Sequence, residues 1–360
     1  MFAVLNSPMT NSSDGWLNDS ASCGNGTLEW ILLENWKIAL AYALYTLVGA
    51  VIVTGSLLII AVVARSKALH TRNYFLLAAL AGADFILGWA YLLGAARRSY
   101  LMLTNQMCLT ATPFTCLSQT GANVCYIFGG PCSIMVTAVI SIDKLLAVRS
   151  IRRYESLPNR FSYIAVVLVY SISLLLLIAA FVKSHQMGTM AVSIMCLTAH
   201  SVPKLYNLLF GIIQIGAGFV SILAYSLAYF SVRFQFRKAS FMIPYPHQFR
   251  ANQEVVIMKK LATIILATFL LNTLPNVLLL CLTLFFTDTY WINSVLPYDY
   301  LMIAWNSCIN VFVYARKYPL FRAGINSLFC GQAYNVSRKS GHVSSRKNTT
   351  GSSNKKESKL

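Results

Sequence analysis

Residues 38–64 read IALAYALYTLVGAVIVTGSLLIIAVVA, and no charged side chain interrupts them. An α-helix rises 1.5 Å per residue, so about 20 apolar residues cross the hydrocarbon core of a bilayer, and this stretch exceeds that length. Apolar and polar residues do not alternate along it, as they would in a barrel strand. Because lipid offers no hydrogen bonds to the backbone, the stretch predicts a membrane-spanning helix.

Six further apolar stretches of similar length follow it. They cover residues 74–96, 114–142, 161–182, 205–232, 261–287 and 295–315. The composition agrees, because 57% of the 360 residues are hydrophobic and 11% are charged, with a mean hydropathy of +0.60. A soluble protein carries about 25% charged residues. We therefore predict an all-α integral membrane protein with a seven-transmembrane helix bundle.

The chain divides into four predicted parts. We expect an extracellular glycosylated segment at 1–36, the seven-helix bundle at 37–316, a short amphipathic membrane-surface helix at 317–330 and a disordered cytoplasmic tail at 331–360. The tail is rich in Ser, Lys, Asn and Thr and poor in large apolar residues, which is typical of disorder. Phosphorylation of its serines is expected to recruit arrestin.

The net charge is +18, and the charged residues are distributed unequally between the two sides of the membrane. The segment before the first span is mainly acidic, whereas the next connection holds Arg65, Lys67 and Arg72. By the positive-inside rule the amino terminus lies outside, so this charge indicates orientation and contact with lipids rather than nucleic-acid binding. Glycosylation sequons support that orientation; they begin at Asn11, Asn18 and Asn25. We predict a multi-pass protein of the plasma membrane.

The predicted topology divides the cysteines by compartment. Those expected outside are Cys23, Cys108, Cys116 and Cys196. Four thiols in an oxidising space indicate two disulfides, and the sequence leaves all three pairings open. Cys330 ends an amphipathic pattern after the last span, which favours palmitoylation at the membrane surface, with a free cytosolic thiol as the alternative.

The acidic residue identified well inside the predicted spans is Asp84. A carboxylate at this depth costs about 2.5 to 3.5 kcal/mol, so we expect it to face the bundle and to have partners. The candidate partners are Ser133 in the third span and Asn306, Ser307 and Asn310 in the seventh. Such a cluster indicates a functional site, and the alternative is a polar contact that only ties helices together.

Four of the predicted helices carry short motifs whose order along the chain matches that of a known protein family. The seventh span carries Asn-Ser-x-x-Asn-x-x-x-Tyr over residues 306–314, and the second carries Leu80 with Asp84. The third ends in Asp-Lys-Leu at residues 143–145, and Phe269 and Pro275 lie six residues apart in the sixth. In these motifs the chain resembles a rhodopsin-like (class A) G-protein-coupled receptor over residues 42–329.

The resemblance implies roles for these residues. Five residues correspond to a sodium pocket: Asp84, Ser133, Asn306, Ser307 and Asn310. This pocket would hold an allosteric sodium ion at Asp84, and no other cofactor is implied. G-protein coupling residues are Asp143, Lys144, Tyr154 and Tyr314, with Asp143 and Lys144 as an inner lock; switch-core residues are Ile134, Phe269 and Pro275. A disulfide from Cys116 to Cys196 is also implied, although Cys116 lies one helical turn before the family's position.

The chain departs from the family at several motif positions. Ser56 replaces an asparagine, Thr273 a tryptophan, Val311 a proline, and Lys144 an arginine. Lysine lacks the planar fork of arginine and is not an equivalent donor. These departures are typical of a divergent branch, similar to the nematode chemoreceptor-like groups.

The resemblance also excludes some classes of ligand. Receptors for biogenic amines carry an acid where this chain has Tyr126, and opsins carry a lysine where it has Ala304. We therefore expect a small molecule or peptide that is neither a biogenic amine nor retinal. Candidate ligand-binding residues are Arg97, Arg98, Tyr126 and Trp305, and the alternative for the two arginines is that they snorkel to lipid headgroups.

Taken together, the sequence predicts a receptor that transmits an extracellular ligand signal to a heterotrimeric G protein. An ion-coupled transporter or channel is the alternative, since a buried carboxylate also suits cation coupling. The halves of the chain show no repeat, which argues against a transporter. An enzyme is not expected, because all five histidines fall in connections or the tail.

Overall fold

The computed structural model describes residues 36–104, 106, 109–149, 160–188, 190–239, 262–285, 289–317 and 319–330. Long helices dominate it: α1 Trp36–Arg65, α2 Arg72–Leu103, α3 Ala122–Arg149, α4 Arg160–Gln186, α5 Lys204–Ala239, α6 described over 262–285, and α7 Thr289–Lys317. A shorter helix, α8, covers Pro319–Cys330. The predicted all-α seven-helix bundle is confirmed.

Helices α1 to α6 are each long and apolar enough to cross a membrane, judged by length and composition over the described residues. Helix α7 is 29 residues long but carries polar side chains along its length. Among the α7 side chains that the structure describes, the buried polar ones are Asp299, Asn306, Ser307 and Asn310, each at most 4% exposed. Because these groups are withdrawn from the outer surface, α7 fits a membrane bundle despite its lower hydropathy.

Helices α2 and α3 lie at the centre of the packing. Helix α1 packs against α2 and α7, α3 packs against α2, α4 and α5, and α6 packs against α5 and α7. Small residues allow close approach, as at Gly55, where an added Cβ would lie 2.3 Å from Val311 Cγ1, and at Gly218, where it would lie 2.1 Å from Thr273 Oγ1. Glycine at such crossings is typical of membrane helices.

The third predicted span is wrong at its start. Residues 114–142 were expected to form one helix, but a separate short helix covers Pro113–Thr120 and α3 begins at Ala122. Thr112 caps the short helix by accepting a hydrogen bond from the Thr115 N–H at 3.2 Å. Gly121 then turns the chain with φ of 56°, a conformation that glycine adopts without a Cβ penalty.

Helix α6 contains a π-helical segment at Phe269–Thr273, in which the Leu274 N–H donates to the Phe269 carbonyl five residues earlier. Pro275 follows immediately. Proline has no N–H to continue the ordinary ladder, and π segments absorb such interruptions. The sixth helix is therefore irregular at the positions that the sequence analysis assigned to the switch core.

Two short connections meet at one end of the bundle. Strand β1, Thr110–Ala111, pairs antiparallel with β2, Val192–Ser193, with Thr110 opposite Ser193. We call this the disulfide end, after the Cys116–Cys196 bond beside it. The opposite end, where α3 carries Asp143, is called the Asp143 end.

Helix α8 lies at the Asp143 end and packs against α1. Phe321 is 3% exposed, and a Cβ added to Gly324 would lie 2.6 Å from Val62 Cγ1. The helix begins two residues after the predicted start at 317 and ends at Cys330 as predicted. Its contact with a membrane surface stays a prediction, as does palmitoylation of Cys330.

Several predicted features lie outside the described residues. They are the sequons at Asn11, Asn18 and Asn25, the thiols of Cys23 and Cys108, Tyr154 and the tail at 331–360. Their assignments stay predictions.

Candidate functional site

Midway along the bundle, three helices meet at Asp84. Ser133 on α3 donates to Asp84 Oδ1 at 2.6 Å, and Ser307 on α7 donates to the same oxygen at 2.9 Å. Asn310 Nδ2 donates to Asp84 Oδ2 at 3.2 Å. Asp84 is 1% exposed. The structure thus brings the predicted acid and three of its four predicted partners into direct contact.

Unpaired oxygens remain around this cluster. Within the described part of the chain, the side-chain oxygens Asn306 Oδ1 and Asn310 Oδ1 are buried and have no hydrogen-bond partner. A buried acceptor without a donor is unfavourable, and oxygen ligands suit hard cations. The residues present therefore fit a sodium ion chemically, and occupancy by sodium stays a prediction.

At the Asp143 end, two neighbouring residues of α3 contact α2. Asp143 forms an ion pair with Arg72, with 2.5 Å between nitrogen and oxygen and side chains 2% and 8% exposed. Lys144 Nζ donates to Asn73 Oδ1 at 2.7 Å. Arg72 also lies over the ring of Phe161, 5.6 Å from its centroid. These contacts join α2, α3 and α4.

The sequence analysis expected Asp143 and Lys144 to form the inner lock with each other, and it missed Arg72 and Asn73. Adjacent residues on a helix do not face one another, so each has a partner on α2. Arg72 lies in the first turn of α2, where the sequence analysis counted it only for its charge. The predicted coupling residue Tyr314 is buried on α7 at 3% exposure.

At the disulfide end, Cys116 and Cys196 are bonded, with their Cα atoms 5.1 Å apart. The disulfide prediction is therefore confirmed for this pair. Asn123 on α3 reinforces the junction by donating to the Cys196 carbonyl at 3.1 Å and to Ser201 Oγ at 2.9 Å. Asn123 Oδ1 accepts from Thr198 at 2.9 Å. The break at Gly121 lets the short helix bring Cys116 to Cys196 although Cys116 precedes the expected position.

A narrow cavity lies beneath this junction, between α1, α2, α3 and α7. Its free space equals that of about one or two water molecules. Aromatic rings dominate its walls: Tyr45 and Tyr91 stack with centroids 5.9 Å apart, and Tyr126 meets Tyr300 edge-on at 4.9 Å. Its lining also includes Arg98, Asn123 and Thr198.

Residues 55–314, more than two thirds of the chain, match the family model described as "7 transmembrane receptor (rhodopsin family)". The chain belongs to this rhodopsin family of receptors. Trace amine-associated receptor 9 of Rattus norvegicus is 25% identical over 319 residues, covering 83% of this chain and 89% of that protein. The Mus musculus receptor of the same name is also 25% identical over 319 residues, covering 83% and 87%.

Membership confirms that this rhodopsin-family receptor is a multi-pass membrane protein of a non-enzymatic signalling family. The predicted resemblance to nematode chemoreceptor-like groups stays a prediction. The two relatives are vertebrate receptors of the same broad family.

The receptor's predicted ligand-binding residues are not all in the cavity. Tyr126 and Arg98 line it, whereas Arg97 and Trp305 do not, and Trp305 is 42% exposed. Arg98 donates through Nε to the Met195 carbonyl at 3.1 Å and through Nη2 to the Cys196 carbonyl at 3.4 Å. Arg98 therefore anchors the connection before α5 rather than snorkelling to lipid.

Asp299 on α7 was missed by the sequence analysis, which named Asp84 alone. Its side chain is 4% exposed, and its Oδ1 atom has no hydrogen-bond partner in the described part of the receptor. The signal was available, because Asp299 lies inside the predicted span 295–315. Its nearness to the start of that span suggested the membrane boundary instead of the protein interior.

The three switch-core residues lie on two helices. Ile134 on α3 is 1% exposed, and Phe269 packs edge-on against Phe219 of α5 at 6.3 Å. Pro275 is buried just after the π segment. Their role in switching stays a prediction.

Proposed function

We propose that this receptor binds an extracellular ligand at the disulfide end and activates a heterotrimeric G protein at the Asp143 end. The proposal places the protein in the plasma membrane with its amino terminus outside. The observation that carries it is the Asp84 cluster, which ties α2, α3 and α7 together between the two ends. A ligand that moves α3 against α7 changes those hydrogen bonds directly.

The proposed mechanism is a shift between two populations of the bundle. A ligand changes such an equilibrium only by as much as it binds one state better than the other. In the state described, Arg72 and Asp143 hold α2 to α3, and Lys144 is held by Asn73. We infer that release of the Arg72–Asp143 ion pair exposes the Asp143 end to the G protein, while the irregular segment of α6 allows that helix to bend.

Sodium has a defined place in this proposal. Asp84, Ser133 and Ser307, with the free oxygens of Asn306 and Asn310, would hold the ion. A cation at this position compensates the negative charge of the buried Asp84 carboxylate, and it favours the state in which α2, α3 and α7 lie close together. Rearrangement of the cluster on activation would release it.

The remaining partners also belong to this proposal. Phosphorylated serines of the tail recruit arrestin, and glycans on Asn11, Asn18 and Asn25 accompany surface delivery. A palmitoyl group on Cys330 holds the end of α8 at the lipid surface. The ligand class expected from Tyr126 is a small molecule or peptide, and the relatives' names associate those receptors with trace amines.

The test is nucleotide exchange by purified full-length receptor in lipid nanodiscs with purified heterotrimeric G proteins of each class. We expect the receptor to accelerate binding of a non-hydrolysable GTP analogue to at least one class of G protein. The same protein in proteoliposomes should carry no cation flux. Flux without nucleotide exchange would establish the transporter alternative and refute the proposal.

A further inference from the structure

Within the described part of the receptor, Arg98 is the one charged side chain that lines the cavity beneath the disulfide end. A guanidinium group has five N–H donors, and the Met195 and Cys196 carbonyls accept from Nε and Nη2. The Nη1 atom has no hydrogen-bond partner among the described residues. A Cβ added to Gly94, which also lines the cavity, would lie 3.9 Å from Nη1. The donors of Nη1 therefore remain available at the cavity wall.

No acid compensates this positive charge in the described residues. Arg98 forms no ion pair there, and no Asp or Glu lines the cavity; Asp299 precedes Tyr300 in sequence but is not part of the lining. Arg97 adds a second positive charge nearby. Its Nη2 atom lies 4.0 Å from Cys196 Sγ, and Arg98 Nη2 lies 3.4 Å from the Cys196 carbonyl oxygen. A cleft whose charges all have one sign attracts ions of the opposite sign.

Tyr126 supplies a second donor in the same wall. Its hydroxyl group has no hydrogen-bond partner among the described residues, and its ring is packed edge-on against Tyr300 at 4.9 Å. The free space of the cavity equals that of about one or two water molecules, so a single small group contacts several wall atoms at once. A carboxylate has two acceptor oxygens and matches a wall that offers a guanidinium and a phenol hydroxyl as donors.

We propose that this cavity binds the carboxylate group of a small monocarboxylic acid, with Arg98 Nη1 and the Tyr126 hydroxyl as its donors. This inference rests on the proposed function, because it names the ligand class of that receptor's extracellular site. The apolar part of the acid contacts the rings of Tyr45, Tyr91 and Tyr300, which line the same cavity. A mostly apolar wall with a few placed polar groups is typical of small-molecule sites.

The size of the cavity determines the choice of probes. A compact carboxylate enters with little movement of the wall, and a larger acid requires the tyrosines to rotate. The probes are acetate, butyrate and benzoate, each matched with the uncharged amide of the same carbon skeleton. The amides reproduce the shape of the carboxylate group without its negative charge. Butylamine serves as the probe of opposite charge.

The measurement is the thermal unfolding midpoint of purified full-length receptor in nanodiscs of zwitterionic lipid, titrated with each probe at constant pH and constant sodium concentration. We expect at least one carboxylate to raise the midpoint, and its amide and butylamine to leave it unchanged. Arg98→Gln should weaken the apparent affinity about tenfold or more, and Tyr126→Phe about threefold, because loss of the positive charge costs more than loss of one hydroxyl donor.

Arg97→Gln is the matched control for charge. It removes the same positive charge from the neighbouring residue, which does not line the cavity. Because solvent and salt screen a charge that does not touch the ligand, this variant should weaken the affinity about twofold or less.

The proposal is overturned if no carboxylate stabilises the wild-type receptor, if the amides or butylamine stabilise it equally, or if Arg97→Gln weakens binding as much as Arg98→Gln. Should Arg98→Gln fail to fold, Tyr126→Phe decides the question together with the contrast between acids and amides on wild type. Nucleotide exchange is measured in parallel. Exchange without any carboxylate effect on unfolding removes only this site, whereas carboxylate binding without exchange removes the proposed function and leaves the site.

Discussion

Loss of the Arg72–Asp143 ion pair should raise the basal activity of the receptor. The pair joins α2 to α3 at 2.5 Å, with the two side chains 8% and 2% exposed. Removing one partner of a buried pair leaves the other charge uncompensated, at a cost of about 3 to 5 kcal/mol. If about 1.4 kcal/mol of that cost falls on the inactive state alone, the active population increases tenfold. We therefore expect Asp143→Asn to raise agonist-independent nucleotide exchange about tenfold.

The assay compares exchange rates of wild type, Asp143→Asn, Arg72→Gln and the double variant at equal amounts of folded receptor. Because the two residues act through one contact, the double variant should resemble either single variant rather than sum their effects. Asn73→Ala is the matched control on α2, since it removes the Lys144 contact and leaves the ion pair in place. Unchanged basal exchange in both single variants, or strictly additive effects, would refute this reasoning.

Three further predictions concern sodium, the disulfide and the α5–α6 crossing. Sodium chloride at ten times its Kd should stabilise wild type over potassium chloride by about 1.4 kcal/mol, and Asp84→Asn should lose this difference in thermal unfolding; equal sodium stabilisation of the variant would remove the cluster as the site. Cys116→Ala removes a disulfide between residues 80 apart in sequence and should cost about 2 to 5 kcal/mol of stability, which reduced surface expression and a lower unfolding midpoint would show. The control is Cys281→Ser, which changes a free cysteine and should be expressed like wild type. Gly218→Ala places a Cβ 2.1 Å from Thr273 Oγ1 and should destabilise by about 1 to 3 kcal/mol; adding Thr273→Ala should recover part of the loss, and no recovery would show that the two residues do not limit the crossing.

The features that the sequence predicted well depend on residue type alone. The charge-free stretch 38–64 predicts a spanning helix from its own composition, independently of how the other helices pack, and α1 covers it. Asp84 needed polar partners at its depth, and Ser133, Ser307 and Asn310 supplied the available donors on the neighbouring helices. In these cases the cost of an unpaired group in lipid leaves few alternatives.

The features that were missed depend on how helices rotate and where they bend. Whether Asp143 meets Lys144 or Arg72 is decided by which face of α3 lies against α2, and spacing in one helix does not report that. The break at Gly121 was missed because no charged residue interrupts 114–142, although Ser118, Gln119 and Thr120 directly precede the glycine. Asp299 was missed because hydropathy locates the end of a span only to within a few residues, and four residues decide whether an acid is in water or in the protein interior.

Coupling between the two ends is the central claim, and hydrogen–deuterium exchange of the full-length receptor tests it most directly. Binding at one site must change the other by the same free energy if the two are linked. We predict that nucleotide-free G protein, bound at the Asp143 end, changes amide exchange in residues 190–201, which contact Asn123 and Arg98 at the disulfide end. Bound G protein that leaves exchange in residues 190–201 unchanged would contradict the account.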